Sequence, residues 1–486
     1  MRSIFAVFNV LGSLLMVFGA LYLLPVVIGV VYGENGTALT FLTGGLGTAA
    51  AGFVVRLATR RYREELKPRD GYLLVTLGWL LVTAAAALPL MRELPELSFT
   101  NAYFEAMSGL TTTGATTLTG LDHLPHAVNF WRHALHWFGG MGIIVLGVAI
   151  LPLLGVGGMQ IHRGDTPGAV KDAKLTPRIT QTAKALWLVY CGITLLCMLS
   201  LLAAGMSAFD ALCHAFSIVS LGGFSTHDAN IAWFHSARIE MVMCVFMILA
   251  AVNFTTHFVA IRKGDLSVYR RDPEARWMVT WIAVSIVGLT GYLYASGVYP
   301  TIGESLRNVT FNLISTATTS GFVTTDYSLW PLFAPMWMLF LGCLIPSTGS
   351  VGGGIKIFRA LVLIKQSFRE MFILVHPQAV APLKIAGAVI PNRAVYSVLA
   401  FIFMYFMTVV VLTFALLLSN LDFITAFSAV LASMNNAGPG LGLVGPTHNY
   451  QVLTDFQTWV CTAAMFLGRI ELFTVLVLFT PAFWRK

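Results

Sequence analysis

The stretch AYFEAMSGLTTTGAT, residues 102–116, decides the fold, because three later stretches repeat its pattern. They are ALCHAFSIVSLGGFST at 211–226, FNLISTATTSGFVTT at 311–325 and FSAVLASMNNAGPG at 427–440. Each is semi-apolar, is too short to cross a bilayer, and carries a turn that contains glycine. Alignment on one glycine in each gives Gly114, Gly223, Gly321 and Gly438, about a hundred residues apart. The chain is therefore predicted to contain four copies of one structural unit.

Small hydroxyl residues dominate two aligned positions ahead of these glycines. Six residues before the glycine stand Ser108, Ser217, Ser315 and Ala432, and three residues before it stand Thr111, Ser220, Thr318 and Asn435. We expect each copy to be a short re-entrant helix followed by a glycine loop. A plain helix C-cap would explain one such glycine, but four glycines in phase favour a shared function.

Composition indicates an integral membrane protein. Of the 486 residues, 57% are hydrophobic and 11% are charged, whereas an average soluble domain has about 25% charged residues. So few polar side chains cannot cover a soluble core, which excludes nuclear, ribosomal and cytosolic-enzyme classes. The six cysteines have no CxxC spacing and are predicted to be small core residues.

Apolar runs long enough to cross a bilayer predict the topology. Nine uncharged runs lie at 3–33, 38–55, 71–91, 133–160, 185–209, 241–261, 277–303, 327–355 and 394–421, and a tenth at 456–484 is broken by Arg469 and Glu471. Each glycine loop then lies between two crossings, so all four copies have the same orientation. This favours a pseudo-fourfold ring about an axis normal to the membrane over inverted repeats.

The predicted fold is thus all-α, with ten transmembrane helices. Its segments are two extra N-terminal helices at 1–70 and four pore repeats at 71–162, 163–265, 266–391 and 392–486, the third with an interrupted last helix. Most of the 30 basic residues lie at both termini and at 56–70, 163–184, 262–276 and 356–393, which are therefore predicted to be cytoplasmic. The opposite face is acidic and would concentrate cations, although positive-inside topology alone explains most of this asymmetry.

The four loops have a chemical meaning if they surround one axis. Non-helical backbone at membrane depth must be packed in protein or line a watery path. Backbone carbonyls can replace the hydration shell of a cation, and glycine allows them to turn inward. The loops therefore predict a cation-selective constriction.

Further strings resemble a known family over nearly the whole chain. They are GLTTTGAT at 109–116, WFGGMGIIVL at 137–146, GGMQ at 157–160, TPGAVKDAKLTPRI at 166–179, GGFSTHDA at 222–229, NNAGPGLG at 435–442 and LGRIELFT at 467–474. Together they resemble the Trk/Ktr/HKT superfamily of potassium transporters, and within it the TrkH/TrkG-type uptake subunits.

The resemblance implies that the transported ion is potassium. The implied filter comprises Thr112, Thr113, Gly114, Leu221, Gly222, Gly223, Thr319, Ser320, Gly321, Asn436, Ala437 and Gly438. Potassium is expected at the last two residues of each loop, which are Thr113, Gly114, Gly222, Gly223, Ser320, Gly321, Ala437 and Gly438. No nucleotide motif occurs in the chain, so no bound nucleotide is expected.

The resemblance also implies a gate. PSTGSVGGGIK at 346–356 looks like the family's intramembrane gating loop below the filter, and Arg469 matches an arginine that faces it. The loop's flexible points are Gly349, Gly352, Gly353 and Gly354. The chain departs from the family's Gly- and Ala-rich approach to this loop at Leu344, Ile345 and Pro346, which leaves the gating kinetics open.

By the same resemblance, we expect a homodimer in the bacterial inner membrane, surrounded by lipid and regulated by a cytosolic TrkA-type nucleotide-binding ring. The ring would dock on the basic segments 163–184, 262–276 and 356–393. The expected function is potassium uptake, with no enzymatic activity and no nucleic-acid partner. The sequence leaves open whether uptake is passive or a symport with protons or sodium.

Three alternatives have distinct signatures. A secondary transporter of a small organic solute would have inverted halves, and a membrane enzyme would need a catalytic cluster within the crossings. A sodium-permeable member of the superfamily would carry serine in place of Gly114. None of these signatures occurs in the sequence.

Several charged residues and histidines lie within or beside the apolar runs, and the sequence predicts a role for each. Arg469 is predicted to oppose cations in the path, since a charge within an apolar helix usually marks a pathway. Glu471 lies too close in sequence to pair with it on one helix face. Outer acidic residues are predicted to be solvated or helix-capping: Glu105, Asp122, Asp210 and Asp422. Histidines without metal spacing are predicted to pack or hydrogen-bond: His133, His136, His214 and His257.

Overall fold

The computed structural model describes residues 2–62, 66–145, 175–385 and 387–485. Its elements up to the second repeat are α1 (Arg2–Leu21), α2 (Leu23–Val31), α3 (Asn35–Ala58), α4 (Pro68–Glu93), α5 (Phe99–Leu110), α6 (His126–Val145), α7 (Leu175–Ala204), α8 (Ala208–Val219), α9 (Ala237–Ala251) and α10 (Phe254–Lys263). The segment at 157–160, most of 166–179 and part of the predicted docking segment 163–184 lie outside the described residues.

The second half continues the same helical pattern. Its elements are α11 (Ser267–Arg271), α12 (Pro273–Ala295), α13 (Ile302–Ala317), α14 (Phe333–Leu344), α15 (Ile357–Val375), α16 (Asn392–Leu418), α17 (Phe423–Met434), α18 (Asp455–Arg469), α19 (Leu472–Leu476) and α20 (Pro481–Trp484). The basic segment 356–393, predicted to be cytoplasmic, contains α15 and an antiparallel hairpin of β1 (Lys384–Ile385) and β2 (Ala388–Val389). The fold is otherwise helical throughout the described part of the chain.

Several helices are long and apolar enough to cross a bilayer. Within the described residues there are six such segments, or eight if two sharply bent helix pairs each count as one crossing. The two remaining predicted crossings fall on α6, whose sequel after Val145 is not described, and on the short helix α14. An integral membrane protein is therefore confirmed, while the count of ten crossings stays a prediction.

Two crossings predicted as continuous helices are broken. The angle between α9 and α10 is 97°, and that between α18 and α19 is 107°. Asn253 causes the first break, because its side chain accepts the amide of Thr255 and begins a new helix. The second lies at Ile470 and Glu471, between α18 and α19, where Glu471 has a non-helical φ of 64°. Together with the interruption after α14, these breaks follow the glycine loops of the second, third and fourth repeats along the chain.

The short helices that precede the glycine loops are α5, α8, α13 and α17, called the pore helices below. Each begins at an N-cap whose side chain accepts a backbone amide three residues on, and these caps are Ser98, Ser207, Thr301 and Asp422. Such caps satisfy amides that the helix itself leaves without partners. The four helices therefore start in the same way.

The helices close into a ring. The helix that follows each glycine loop packs against the pore helix of the next repeat, in the pairs α6–α8, α9–α13, α14–α17 and α18–α5. The last pair joins the fourth repeat to the first. The N-terminal helices lie outside this ring, where α1 packs on α3 and α4 and α2 packs on α6.

Candidate cation filter and gate

The four glycine loops share one backbone conformation. Their glycines have φ angles of 82°, 84°, 81° and 81°, in the order Gly114, Gly223, Gly321 and Gly438. Two residues earlier, φ is again positive, at 51°, 54°, 60° and 53°, in the order Thr112, Leu221, Thr319 and Asn436. Positive φ is strained for these side chains, so four matching instances indicate a conformation held by its surroundings.

Hydrogen bonds within each loop explain how that conformation is held. The amide one residue before each glycine donates to the carbonyl five residues earlier, at 2.7–2.9 Å; the pairs are Thr113–Ser108, Gly222–Ser217, Ser320–Ser315 and Ala437–Ala432. This is the Schellman pattern of a helix C-terminus. The aligned hydroxyl positions of the sequence are thus the helix C-caps and the carbonyls that accept these bonds.

Contacts between loops close a second, smaller ring. A Cβ built on Gly114 would overlap the carbonyl oxygen of Gly222, and one on Gly223 would overlap that of Ser320. The same Cβ on Gly321 would lie 2.6 Å from the carbonyl oxygen of Ala437, and on Gly438 it would lie 2.9 Å from that of Thr113. Each glycine therefore abuts a carbonyl of the next loop, in chain order around the ring. Glycine is required at these positions for two reasons: its φ angle is positive, and the neighbouring carbonyl oxygen leaves no room for a Cβ atom.

The ring offers a particular chemistry. It brings together all twelve residues predicted as the filter, and each of them is uncharged. Backbone carbonyls are the oxygens offered there, while the hydroxyls of Thr113 and Ser320 are hydrogen-bonded to those of Thr111 and Thr318. Such oxygens suit a partly dehydrated monovalent cation, which is what the sequence predicted for this place.

Pore-helix side chains fasten the chain just beyond each glycine. Glu105 accepts the amide of Thr117, and Ser428 accepts the amide of Leu441 at 2.8 Å. Asn312 accepts the amide of Thr324, and His214 contacts the hydroxyl of Ser225 at 3.0 Å. This set was not predicted from the sequence, although polar residues stand nine positions before the glycine in three of the four repeats: Glu105, His214 and Asn312.

Glu105 corrects one prediction. Glu105 was predicted to be solvated or helix-capping. Its side chain is instead buried, with 1% of the residue exposed, and it forms an ion pair with Arg132 at 2.8 Å. Of the other outer acids, Asp422 caps α17 and Asp210 accepts the hydroxyl of Thr226. The buried histidines act as hydrogen-bonding groups; His133 and His136 both contact the hydroxyl of Ser217, at 2.7 and 2.9 Å.

The segment between α14 and α15, residues 345–356, is called the gate loop. It lies directly below the filter, where the amide of Gly353 donates to the hydroxyl of Thr319 at 3.0 Å. A Cβ on Gly353 would overlap the carbonyl oxygen of Asn435. The break between α9 and α10 supports the loop from another side, through Ser347 N to Ala251 O at 3.1 Å and Phe254 N to Gly349 O at 3.2 Å. The gate loop and the base of the filter are therefore in direct contact.

Arg469 joins three repeats at this level. Its guanidinium donates 2.7 Å to the carbonyl of Val351 in the gate loop and 3.5 Å to that of Gly139 on α6. Its side chain is almost fully buried. Glu471 pairs instead with Arg359 at 2.9 Å, so the prediction that Arg469 and Glu471 do not pair agrees with the geometry. Arg469 faces the gate loop, as the resemblance implied.

A cavity of about 440 Å³ lies next to the ring, on the side away from the gate loop, and it is called the vestibule. Its lining includes Gly114, Gly223 and Gly321, together with Arg132 and His227. His227 contacts Asp122 and lies 3.6 Å from Asp210. Desolvation lowers the pKa of His227, but the hydrogen bonds and charges of the two carboxylates outweigh it and raise that pKa above its usual value.

The chain is similar to known proteins over its whole length. A family described as "TrkH: Cation transport protein" matches residues 39–486. The Trk system potassium uptake protein TrkH of Salmonella typhimurium is 42% identical over 482 residues, which cover 99% of each chain. The corresponding TrkH of Halomonas elongata is 43% identical over 486 residues, covering both chains fully.

Two further relatives extend this comparison. The Trk system potassium uptake protein TrkG of Escherichia coli is 36% identical over 483 residues, covering 98% of this chain and 97% of that protein. The crystal structure of the potassium transporter TrkH from Vibrio parahaemolyticus superimposes with a TM-score of 0.91 at 40% identity. That superposition covers 99% of this chain and 100% of the other.

Proposed function

Since this chain belongs to the TrkH family of cation transport proteins, we propose that it takes up potassium ions along the axis of its four-glycine ring. The family is a transport family, so the chain is a transporter and not an enzyme. The single observation that carries the proposal is the ring itself. Four loops, spread over the length of the chain, share one backbone conformation and meet glycine to carbonyl.

The proposed path begins in the vestibule, where an entering cation exchanges water for oxygens of the filter. The eight residues proposed to contact potassium are the last two of each loop, as the resemblance implied. Rigidity of the ring supports this role, because each loop is braced by its Schellman bonds below and by a pore-helix side chain beyond the glycine. Filter oxygens that are already in place need no reorganisation when the ion arrives.

The proposed gate is the gate loop with Arg469. The contacts of the loop with the filter base, and the bond from Arg469 to Val351, support a position of the loop across the proposed route below the ring. Val351 is completely buried, which supports a closed state. Opening requires the loop to leave these contacts, and its four glycines lower the conformational cost of that movement.

We further propose that the chain works as a homodimer in the bacterial inner membrane with both termini in the cytoplasm. A cytosolic TrkA-type ring would then act on the gate from the cytoplasmic side. The location of α15 supports this, since the helix begins directly after the gate loop and carries the basic residues Lys365 and Arg369. Movement of α15 by a docked partner would be transmitted to the loop without an intermediate element.

A flux assay tests the proposed function. Purified protein in liposomes should accumulate ⁸⁶Rb⁺, with excess K⁺ competing strongly and choline not competing. Competition by Na⁺ measures selectivity and separates a potassium transporter from a sodium-permeable relative. Liposomes that take up no more ⁸⁶Rb⁺ than empty vesicles, with the protein folded and with the gate loop shortened, would overturn the proposal.

A further inference from the structure

One quadrant of the ring contains a buried charge pair. Arg132 Nε, on α6, donates to Glu105 Oε1, on the first pore helix, at 2.8 Å, and the two side chains are 1% and 0% exposed. The residues that occupy the same bracing position in the other quadrants are His214, Asn312 and Ser428. Among these four braces, only the one in the first repeat is an acid paired with a base. The asymmetry suggests a role beyond bracing.

The pair fastens two filter loops at once. Glu105 accepts the hydroxyl of Thr116 at 3.0 Å and the amide of Thr117 at 3.0 Å, just beyond Gly114. Arg132 donates to the carbonyl of Ser225 at 3.3 Å, just beyond Gly223. The outer ends of the first and second loops are therefore held by one guanidinium and one carboxylate.

The guanidinium also lies at the ion route. Arg132 lines the vestibule together with Gly114 and Gly223, and its Cζ atom lies 4.2 Å from the ring centre of Phe224. A lone positive charge at this place would repel an entering cation. Glu105 cancels that charge by a hydrogen-bonded contact, in surroundings where charges are screened less than in water.

We propose that the Glu105–Arg132 pair sets the electrostatic potential at the outer end of the filter and so determines cation affinity there. The inference rests on the proposed function, because it assumes that cations pass through the vestibule. Loss of the carboxylate leaves the guanidinium's charge unbalanced and weakens cation binding. Loss of the guanidinium leaves the carboxylate's charge and tightens binding, which also slows release.

The test measures the half-saturating Rb⁺ concentration and the maximal flux in liposomes. Glu105→Gln should raise half-saturation by about tenfold, the factor that one unit charge produces at a distance of about 12 Å with an effective dielectric constant of about 20. Arg132→Gln should lower half-saturation and reduce maximal flux. The double variant Glu105→Gln/Arg132→Gln should return half-saturation to within about threefold of the parent value, because neither charge remains.

Two comparisons keep the test decisive. Glu240 and Arg307 form an ion pair of the same composition at 2.7 Å between α9 and α13, outside the vestibule lining, so Glu240→Gln/Arg307→Gln should leave half-saturation unchanged. Arg132→Lys keeps the charge and should preserve half-saturation even where thermal stability falls. Size-exclusion profiles establish that each variant is folded.

Opposite shifts of half-saturation in the two single variants would support the inference. Shifts in the same direction, or values equal to those of the Glu240–Arg307 control, would overturn it and leave the pair a structural brace. Failure of the unmutated protein to transport Rb⁺ would instead overturn the proposed function, and the two failures are distinguished by that measurement.

Discussion

Arg469 Nη1 lies 2.7 Å from the carbonyl oxygen of Val351, so the end of the last long helix is bonded to the gate loop of the previous repeat. The bond matters because both partners are buried and the two residues belong to different repeats. Within the described residues, Arg469 has no ion-pair partner, and its Nε has no hydrogen-bond acceptor. Its positive charge therefore remains uncompensated beneath the filter. The sequence predicted an electrostatic barrier at Arg469. The hydrogen bond to Val351 gives Arg469 a second role, here called the latch, in which it holds the gate loop in place.

Arg469→Ala should increase Rb⁺ flux by about tenfold, since a hydrogen bond from a charged donor contributes about 1.5–3 kcal/mol to the closed state. Arg469→Lys should change flux less, because an ammonium can still donate to Val351. Arg359→Ala is a matched control, as it removes a nearby buried arginine that pairs with Glu471 and not with the gate loop. A folded Arg469→Ala protein with unchanged or lower flux would contradict both the latch and the barrier.

Thr319→Val should raise basal flux by about threefold. The substitution keeps the β-branched shape but removes the hydroxyl that accepts the amide of Gly353, and a neutral hydrogen bond contributes about 0.5–1.5 kcal/mol. Thr408→Val serves as the control, since that hydroxyl donates to Met404 of its own helix α16. Equal basal fluxes in the two variants would show that this contact does not hold the gate closed.

Gly114→Ser should lower the ratio of Rb⁺ to Na⁺ flux at least severalfold. Its side chain would enter at a φ of 82° and overlap the carbonyl oxygen of Gly222, displacing an oxygen of the ring. Gly120→Ser carries the same conformational strain, at a φ of 71°, but its Cβ would meet no atom within 4 Å. The control should therefore keep the parent flux ratio. An unaltered ratio in folded Gly114→Ser would argue against the filter assignment.

Raising the pH should destabilise the vestibule, because His227 loses its proton and with it the attraction to Asp122 and Asp210. The pKa of His227 is raised in the folded state, so its contribution to stability is complete below its unfolded pKa of about 6.5 and is lost as the pH rises through the folded value. Thermal unfolding in detergent should show the parent losing up to about 2 °C more than His227→Gln between pH 6 and pH 9, because such partly exposed pairs contribute about 1 kcal/mol or less. Identical pH dependence in both proteins would exclude this role.

Local features of the site could be predicted from the sequence. The four glycines, their hydroxyl-rich C-caps and the short pore helices follow from neighbours in the chain, because helix termination and positive φ are decided within a few residues. The apolar runs predicted a membrane protein for the same reason. The changes of helix direction at Asn253 and Glu471 were missed. The apolar run 241–261 is continuous across Asn253, and the charges of Arg469 and Glu471 interrupt the last run without reporting a change of backbone direction.

Contacts between distant residues needed the tertiary structure. Three such contacts depend on how distant helices are rotated and shifted against one another. They are Gly114 with Gly222, Glu105 with Arg132, and Glu471 with Arg359. The same holds for Arg469, whose charge marked a functional position while its acceptor on Val351 lies 118 residues away in the chain. The four repeated units and their local conformation follow from the residues of each unit. Which carbonyl, carboxylate or guanidinium each residue meets depends on how the units pack, because close packing lowers the free energy of the whole ring and not of any one segment.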